Sequence, residues 1–217
     1  MARPELVIFD CDGVLVDTEN VGNHHLVKML GESGFQTTFE EIRKAYTGMP
    51  MRAVKEKVEA QGYFLGDDFV DRWYRAIPVI FEHVEPIAHI EEVIAAVKNA
   101  GLTYCVASSA NVEKMHITLG KTGLIGHFED VLYSASMVAR GKPFPDLFLH
   151  AAKEMGYEAN RAVVIEDSVA GTKAGVAAGM RVFSYCGDEH SDREGLIAAG
   201  GILFDDMRKL PALLGIA

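Results

Sequence analysis

The stretch LVIFDCDGVLVDTE, residues 6–19, decides the fold. Leu6 to Phe9 form an unbroken apolar run that ends at Asp10; a second acid follows at Asp12, with Gly13 behind it. A short apolar run with β-branched and aromatic members reads as a strand buried on both faces. Carboxylates are costly beside such a strand unless something compensates them. Asp10 and Asp12 stand at i and i+2, a spacing that turns both to one side of an extended chain. Paired acids at a buried strand end therefore predict a site.

Five further runs have the same character: TYCVA (103–107), VLYS (131–134), AVVI (162–165), RVFSY (181–185) and GILF (201–204). Helical patterns separate them. HIEEVIAAVKNAG places Ile90, Val93, Ile94 and Val97 on one face and stops at Gly101. PDLFLHAAKEMG and SVAGTKAGVAAG precede later strands, and SDREGLIAAGG opens with Ser191 and Glu194 at capping-box spacing. Alternating strands and helices predict an α/β fold, a doubly wound and mostly parallel sheet with helices on both faces. Gly171, Gly175 and Gly179 share one helix face and are expected to pack closely on that sheet.

Residues 20–83 break the rhythm. Thr38 and Glu41 have capping-box spacing, PMRAVKEKVEAQG offers Pro50 at a first helical position, and Phe69, Trp73 and Ile77 form one stripe. The expectation is an all-helical domain, residues 17–83, inserted after the first strand of a core made from 1–16 and 84–217.

The chain has 217 residues and a net charge of −10, and no Lys/Arg-rich run that would favour nucleic acid or anionic membranes. No apolar run approaches the roughly 20 residues of a membrane span. MARPELVIFD does not read as a signal peptide, and Cys11, Cys105 and Cys186 lie in or beside apolar segments, as buried thiols rather than a disulfide framework. These features predict a cytoplasmic protein, a monomer or small homo-oligomer, that acts on a small molecule. Two decoys fall away. His24 and His25 are adjacent and cannot face one way on a helix, and LGKTG (119–123) lacks the first glycine of a phosphate loop, its place being taken by Met115.

Ligands of open parallel sheets bind beyond the carboxyl ends of the strands. Those ends supply Asp10 and Asp12, then Ser108 and Ser109, then Glu166 and Asp167, while the proline-stiffened loop GKPFPD supplies Lys142. Carboxylates about 4 Å apart repel by roughly 4 kcal/mol at an effective dielectric near 20, so four together call for a cation. Oxygen-only ligands point to a hard one, Mg²⁺. The set suits phosphoryl transfer, with Asp10 as nucleophile and Asp12 as the group that protonates the leaving oxygen and then deprotonates water.

DCDGVLVDTE (10–19), VASSAN (106–111), GKPFPDLF (141–148) and VIEDSVAGTKAG (164–175) resemble, in order, the four motifs of the haloacid dehalogenase superfamily. The likeness is to its helical-cap subgroup, which contains β-phosphoglucomutase and small sugar-phosphate phosphatases. It implies a Rossmann-like core under a helical cap and an aspartyl-phosphate mechanism. It gives phosphate binding to Ser108, Ser109 and Lys142. The Mg²⁺ would be held by Asp10, the backbone carbonyl of Asp12, Asp167 and, directly or through water, Glu166. Cap selection of the leaving group makes Thr18, Arg52 and Asn111 candidates for specificity. Asp12 argues against the dehalogenases and phosphonate-cleaving members, which lack the second acid. Thr18 matches a threonine of the mutase, but the mutase histidine four residues on is Gly22 here. The expectation is a Mg²⁺-dependent phosphatase acting on a sugar phosphate or sugar-acid phosphate such as phosphogluconate, with the mutase as the alternative. A catalytically silent binding protein would be expected to have lost a motif residue, and none is lost.

Overall fold

The computed structural model describes residues 3–46 and 49–217, with residues 19 and 20 described by their backbone only. Its first strand, β1 (Leu6–Phe9), is fully buried. It pairs in parallel with β2 (Thr103–Ser108) on one side, Leu6 opposite Thr103, and with β4 (Ala162–Glu166) on the other, Leu6 opposite Ala162. With β3 (Leu132–Ser134), β5 (Arg181–Tyr185) and β6 (Ile202–Phe204) the sheet has six parallel strands in the order β3-β2-β1-β4-β5-β6. The chain runs outwards from β1 through β2 to β3 at one edge, then crosses back to β4 on the other side of β1 and runs out to β6. The crevice beyond β1 is thus the switch point where such sheets bind ligands.

Alternation along β1 divides the core. Val7 and Phe9 enter one apolar cluster, Leu6 and Ile8 the other. The first cluster holds Ile90, Val93 and Val97 of α5 (Ile90–Asn99) and Met115 and Leu119 of α6 (Val112–Lys121). The second holds Leu147, Phe148 and Ala151 of α8 (Asp146–Glu154) and Ala174 of α9 (Val169–Ala177). The short α7 (Ile125–Phe128) follows α6; α10 (Arg193–Ala198) and α11 (Leu210–Leu214) flank β6. Among the described residues no helix is long and apolar enough to cross a membrane.

Between β1 and α5 lie four helices and, among the described residues from 20 to 83, no strand: α1 (Glu19–Glu32), α2 (Phe39–Tyr46), α3 (Met51–Glu59) and α4 (Phe69–Ile80). The Thr38–Glu41 capping box forms, Glu41 N donating to Thr38 Oγ1 at 3.2 Å and Thr38 N to Glu41 Oε2 at 2.9 Å. Phe69, Trp73 and Ile77 are buried together. The chain enters and leaves this unit side by side: Asp17 N donates to Glu85 O at 2.9 Å and Ile87 N to Leu15 O at 3.0 Å. We propose that the hinge between a core of 1–16 and 84–217 and a cap of 17–83 lies at these paired crossings.

Three local expectations change. Asp192, not Ser191, caps α10, its carboxylate accepting from Gly195 N at 2.9 Å; an aspartate one residue nearer the helix outcompetes the serine. Pro50 stands at the N-cap of α3, not at its first helical position. Of the three glycines expected on one helix face, two lie on α9 and pack. A Cβ at Gly175 would lie 2.5 Å from Val182 Cγ2, and one at Gly171 would lie 1.7 Å from Glu166 Oε1. Gly179 instead has φ +75° and no neighbour; it turns the chain after the helix.

Gly175→Ala should therefore push α9 off the sheet and destabilise the protein by about 1–3 kcal/mol, the usual cost of overpacking. A denaturant midpoint lowered at constant m-value is the expected result; an unchanged midpoint would mean that α9 can slide without cost.

Candidate active site

Asp10 follows directly on β1, its amide still donating to Ile165 O at 2.9 Å. The next residues turn tightly, Gly13 N donating to Val16 O at 2.8 Å. Gly13 has φ +78°, and a Cβ there would stand 2.1 Å from Asp167 Oδ2. Only glycine lets the β1 loop and the β4 loop approach this closely. One carboxylate oxygen each from Asp10, Glu166 and Asp167 then lie within 4.8 Å of one another.

Lys142 compensates this cluster. Its Nζ donates to Asp10 Oδ1 and to Glu166 Oε1, both at 2.6 Å, with its side chain 2% exposed. Burial works against the ammonium, but the two carboxylates overcome it and hold the Lys142 pKa above the ordinary lysine value. Glu166 is 0% exposed. Its second oxygen, Oε2, accepts from Asp167 N at 2.9 Å, Ser168 N at 2.7 Å and Ser168 Oγ at 2.9 Å. Burial raises Asp10 from 3.8 to about 7; Lys142 opposes that rise, and Glu166 and Asp12 add to it. The all-oxygen set, short of positive charge, fits a hard divalent cation.

Asp12 stands apart, which the sequence reading of four clustered carboxylates did not anticipate. Its Oδ1 accepts from Thr18 Oγ1 at 2.5 Å and its Oδ2 from Lys114 Nζ at 2.7 Å. Thr18 occupies the N-cap position of α1 but its side chain makes no cap bond. Lys114 lies in the first turn of α6, where the helix dipole disfavours a cation by about 0.3–1 kcal/mol. Its Nζ also lies 5.2 Å from the centroid of the Phe81 ring. Burial lowers its proton affinity, and Asp12 more than restores it.

A cavity of about 120 Å³ joins the two groups, reached by Ser108, Ser109 and Thr18 and walled on the cap side largely by apolar groups such as Leu26, Val54, Trp73 and Phe81. Ser108 ends β2, 1% exposed, and its Oγ accepts from Ala110 N at 3.1 Å. Two expected specificity residues do not line the cavity. Asn111 caps α6, accepting from Lys114 N at 2.8 Å, so its side chain serves the helix. Arg52 lies on the outer, exposed side of α3; Thr47 and Gly48, of the stretch TGMPM (47–51) that precedes it, lie outside the described residues. Two residues that line the cavity went unread. Lys114 could have been suspected from its position, a cation three residues past a motif and at the wrong end of a helix. Asn23 gave no sequence signal; its Nδ2 is shielded from solvent and, among the described residues, has no hydrogen-bond partner. Cys11 between the acids is inert, burial first and then Asp12 and Asp10 raising its thiol pKa well above the usual range.

Residues 7–185 match the family of haloacid dehalogenase-like hydrolases. The chain is 34% identical over 193 residues, 88% of its length and 86% of the relative's, to 6-phosphogluconate phosphatase of Escherichia coli (strain K12). Its fold matches a HAD family hydrolase from Deinococcus radiodurans R1, solved with bound phosphate and sodium (TM-score 0.79, 30% identity, 100% and 98% of the two chains). It also matches β-phosphoglucomutase from Clostridium difficile (TM-score 0.80, 21% identity, 95% and 93%), a likeness of fold alone. The chain belongs to the haloacid dehalogenase-like hydrolases, and within them it is a phosphoric monoester hydrolase.

The proton on Asp10 sets a pH dependence. Because the folded state holds that proton up to about 7 rather than 3.8, Asp10 contributes stability to the metal-free protein that is fully present below about pH 4 and is lost as pH rises through 7. Asp10→Asn removes a group that must ionise. In excess chelator its melting temperature should exceed that of the unmodified chain by more at pH 8 than at pH 5. An advantage that was equal at both, or larger at pH 5, would mean that Lys142 keeps Asp10 ionised throughout.

Proposed function

We propose that the enzyme hydrolyses a small sugar phosphate or sugar-acid phosphate, such as 6-phosphogluconate, through a phosphoryl group carried on Asp10, with Mg²⁺ as its resident cation. One observation carries this reading: the two acids of the motif are held by separate partners, Asp10 by Lys142 and Asp12 by Thr18 and Lys114. A nucleophile and a proton carrier two residues apart need that separation.

In the first step an Asp10 carboxylate oxygen attacks phosphorus, the ester P–O bond breaks, and Asp12 gives its proton to the departing alkoxide. In the second, water attacks the same phosphorus, its proton passes to Asp12, and the bond to Asp10 breaks, releasing inorganic phosphate. Lys142, Ser108 and Ser109 face the phosphoryl oxygens and offset their charge. Asp10, the backbone carbonyl of Asp12 and Asp167 would hold the Mg²⁺, which supplies further charge neutralisation. Glu166 has both oxygens engaged by protein donors and so orients Lys142 and the β4 loop. The unpartnered Asn23 amide suits a sugar hydroxyl, since a buried donor left unpaired costs about 1–3 kcal/mol. The name of the relative at 34% identity supports the sugar-acid substrate.

Hydrolysis is favoured over isomerisation. A mutase must keep its phosphoryl-aspartate from water until a sugar hydroxyl arrives. Gly22 was expected to leave Asp12 unrestrained; instead Asp12 is held, but by the hinge threonine and a lysine of the core. A Cβ at Gly22 would already touch Phe81 at 3.5 Å and Trp73 at 3.6 Å, so a longer side chain has little room there. Asp12 is thus set for either half-reaction by Thr18 and Lys114, with no side chain at position 22 holding it.

With 6-phosphogluconate, phosphate release should stop in excess chelator and return with Mg²⁺, whereas Ca²⁺, with its looser and larger coordination shell, should restore little. Full activity in chelator would remove the metal from the mechanism.

Given β-glucose 1-phosphate and a trace of the 1,6-bisphosphate, the enzyme should yield free phosphate without an accumulating isomer. Glucose 6-phosphate formed much faster than phosphate would restore the mutase.

A further inference from the structure

We propose that Lys114 is a positioning residue for the reaction: from the core side it holds the Asp12 carboxylate in line with the scissile bond. This inference rests on the phosphatase reading above and adds a residue that lies outside the four motifs.

The contacts divide the work. Asp12 has two carboxylate oxygens, and each accepts one bond, from Thr18 Oγ1 and from Lys114 Nζ. A carboxylate anchored at one oxygen can still swing about that bond; anchored at both, it has one orientation. Lys114 is itself fixed, its side chain 12% exposed and its ammonium against the face of Phe81 at the end of α4. Thr118, one turn along α6, accepts no part of this load: its hydroxyl donates back to Lys114 O at 3.1 Å.

Both anchors also give up something locally. Thr18 could cap α1 and does not. Lys114 stands in the first turn of α6, where acids are preferred, while Asn111 supplies the cap there by accepting from Lys114 N at 2.8 Å. Residues that break local preferences on two different helices, and meet on the same carboxylate, mark a functional demand rather than a folding one. The demand is orientation. A general acid must point its proton at the leaving oxygen, and small misplacements of such a group are costly in rate.

The two anchors differ in origin. Thr18 belongs to the hinge and would move with the cap. Lys114 belongs to a core helix packed on the sheet through Met115 and Leu119, so it reaches Asp12 from the core, while Phe81 at the end of the cap packs against its ammonium.

The test uses two esters. A sugar phosphate has a poor leaving group and needs the proton from Asp12; p-nitrophenyl phosphate has a good one and needs it much less. Lys114→Met should lower kcat/KM for the sugar phosphate by at least tenfold more than for the aryl ester, within the roughly 10²–10⁴-fold span of a lost acid/base. Lys114→Arg, which keeps a donor, should recover part of that loss. In an Asp12→Asn background Lys114→Met should cost the sugar-phosphate reaction almost nothing further, because residues that act as one unit are not additive. An equal loss with both esters, a loss confined to KM, or full additivity with Asp12→Asn would overturn the proposal and make Lys114 a substrate or folding contact. If Lys114→Met does not fold, the Arg variant and Thr18→Val, measured on the same pair of esters, decide it by the same leaving-group dependence. Failure of the unmodified enzyme to hydrolyse either ester would instead refute the phosphatase reading.

Discussion

The buried ammonium of Lys142 is the constraint on which the site depends. Asp10 and Glu166 sit on adjacent parallel strands, β1 and β4, and both are almost wholly removed from water. Bringing two such carboxylates together without a cation would cost several kcal/mol. One lysine, donating 2.6 Å to each, turns that repulsion into a three-membered array, and the rest of the β4 loop is built onto it. The free oxygen of Glu166 gathers the amides of Asp167 and Ser168, which sets where Asp167 points. Gly171 leaves the space that Glu166 fills. The apolar strand is the mount, but the lysine makes acids at its end tolerable.

That array leaves the site short of positive charge. Three carboxylates, those of Asp10, Glu166 and Asp167, lie together with one ammonium, which bonds only the first two, and burial above all, then Glu166 and Asp12, lets Asp10 keep its proton to about 7 against the pull of Lys142. Such a group is a poor nucleophile until another positive charge arrives. A cation and a phosphorylated substrate therefore suit the site together: the cation favours the ionised nucleophile, and the phosphoryl oxygens take up the positive charge in turn. Affinity for the metal and readiness for chemistry come from the same deficit.

The fold was largely legible in the sequence because its signals are local and repeated. Each buried strand is a short apolar run, and each helix between them carries its own stripe. The helical character of the insert could be recognised by the absence of strand signals between 20 and 83, and three of its four helices by their own patterns; α1 (Glu19–Glu32) had none assigned. The elements went astray only at their ends, at Ser191 and Pro50, where one residue decides between neighbouring cap positions. The acids of the site were visible as charges where charge is expensive. Lys114, Asn23 and the exposed position of Arg52 were not, since which residues wall a cavity depends on how two bodies meet. Arg52, the expected specificity residue of the insert, is turned outwards, and a core lysine, Lys114, lines the cavity instead.

The separation of Asp12 from the other acids follows from the same geometry that joins them. Gly13 is pressed against Asp167, so the chain between β1 and the hinge must fold back at once, with Val16 pairing beside Asp12 and then beside Pro86. This fold-back carries Asp12 away from the carboxylate cluster and delivers Thr18 to it. In the proposed mechanism the nucleophile thus stays with the rigid sheet, while the proton carrier sits at the joint between core and cap, tied to Thr18 on one side of that joint and Lys114 on the other. An acid/base placed there would be held from the core and still be in contact with the element that admits the substrate. On that reading the two aspartates are neighbours in sequence because a single tight turn, made possible by one glycine, would have to serve both ends of a phosphoryl transfer.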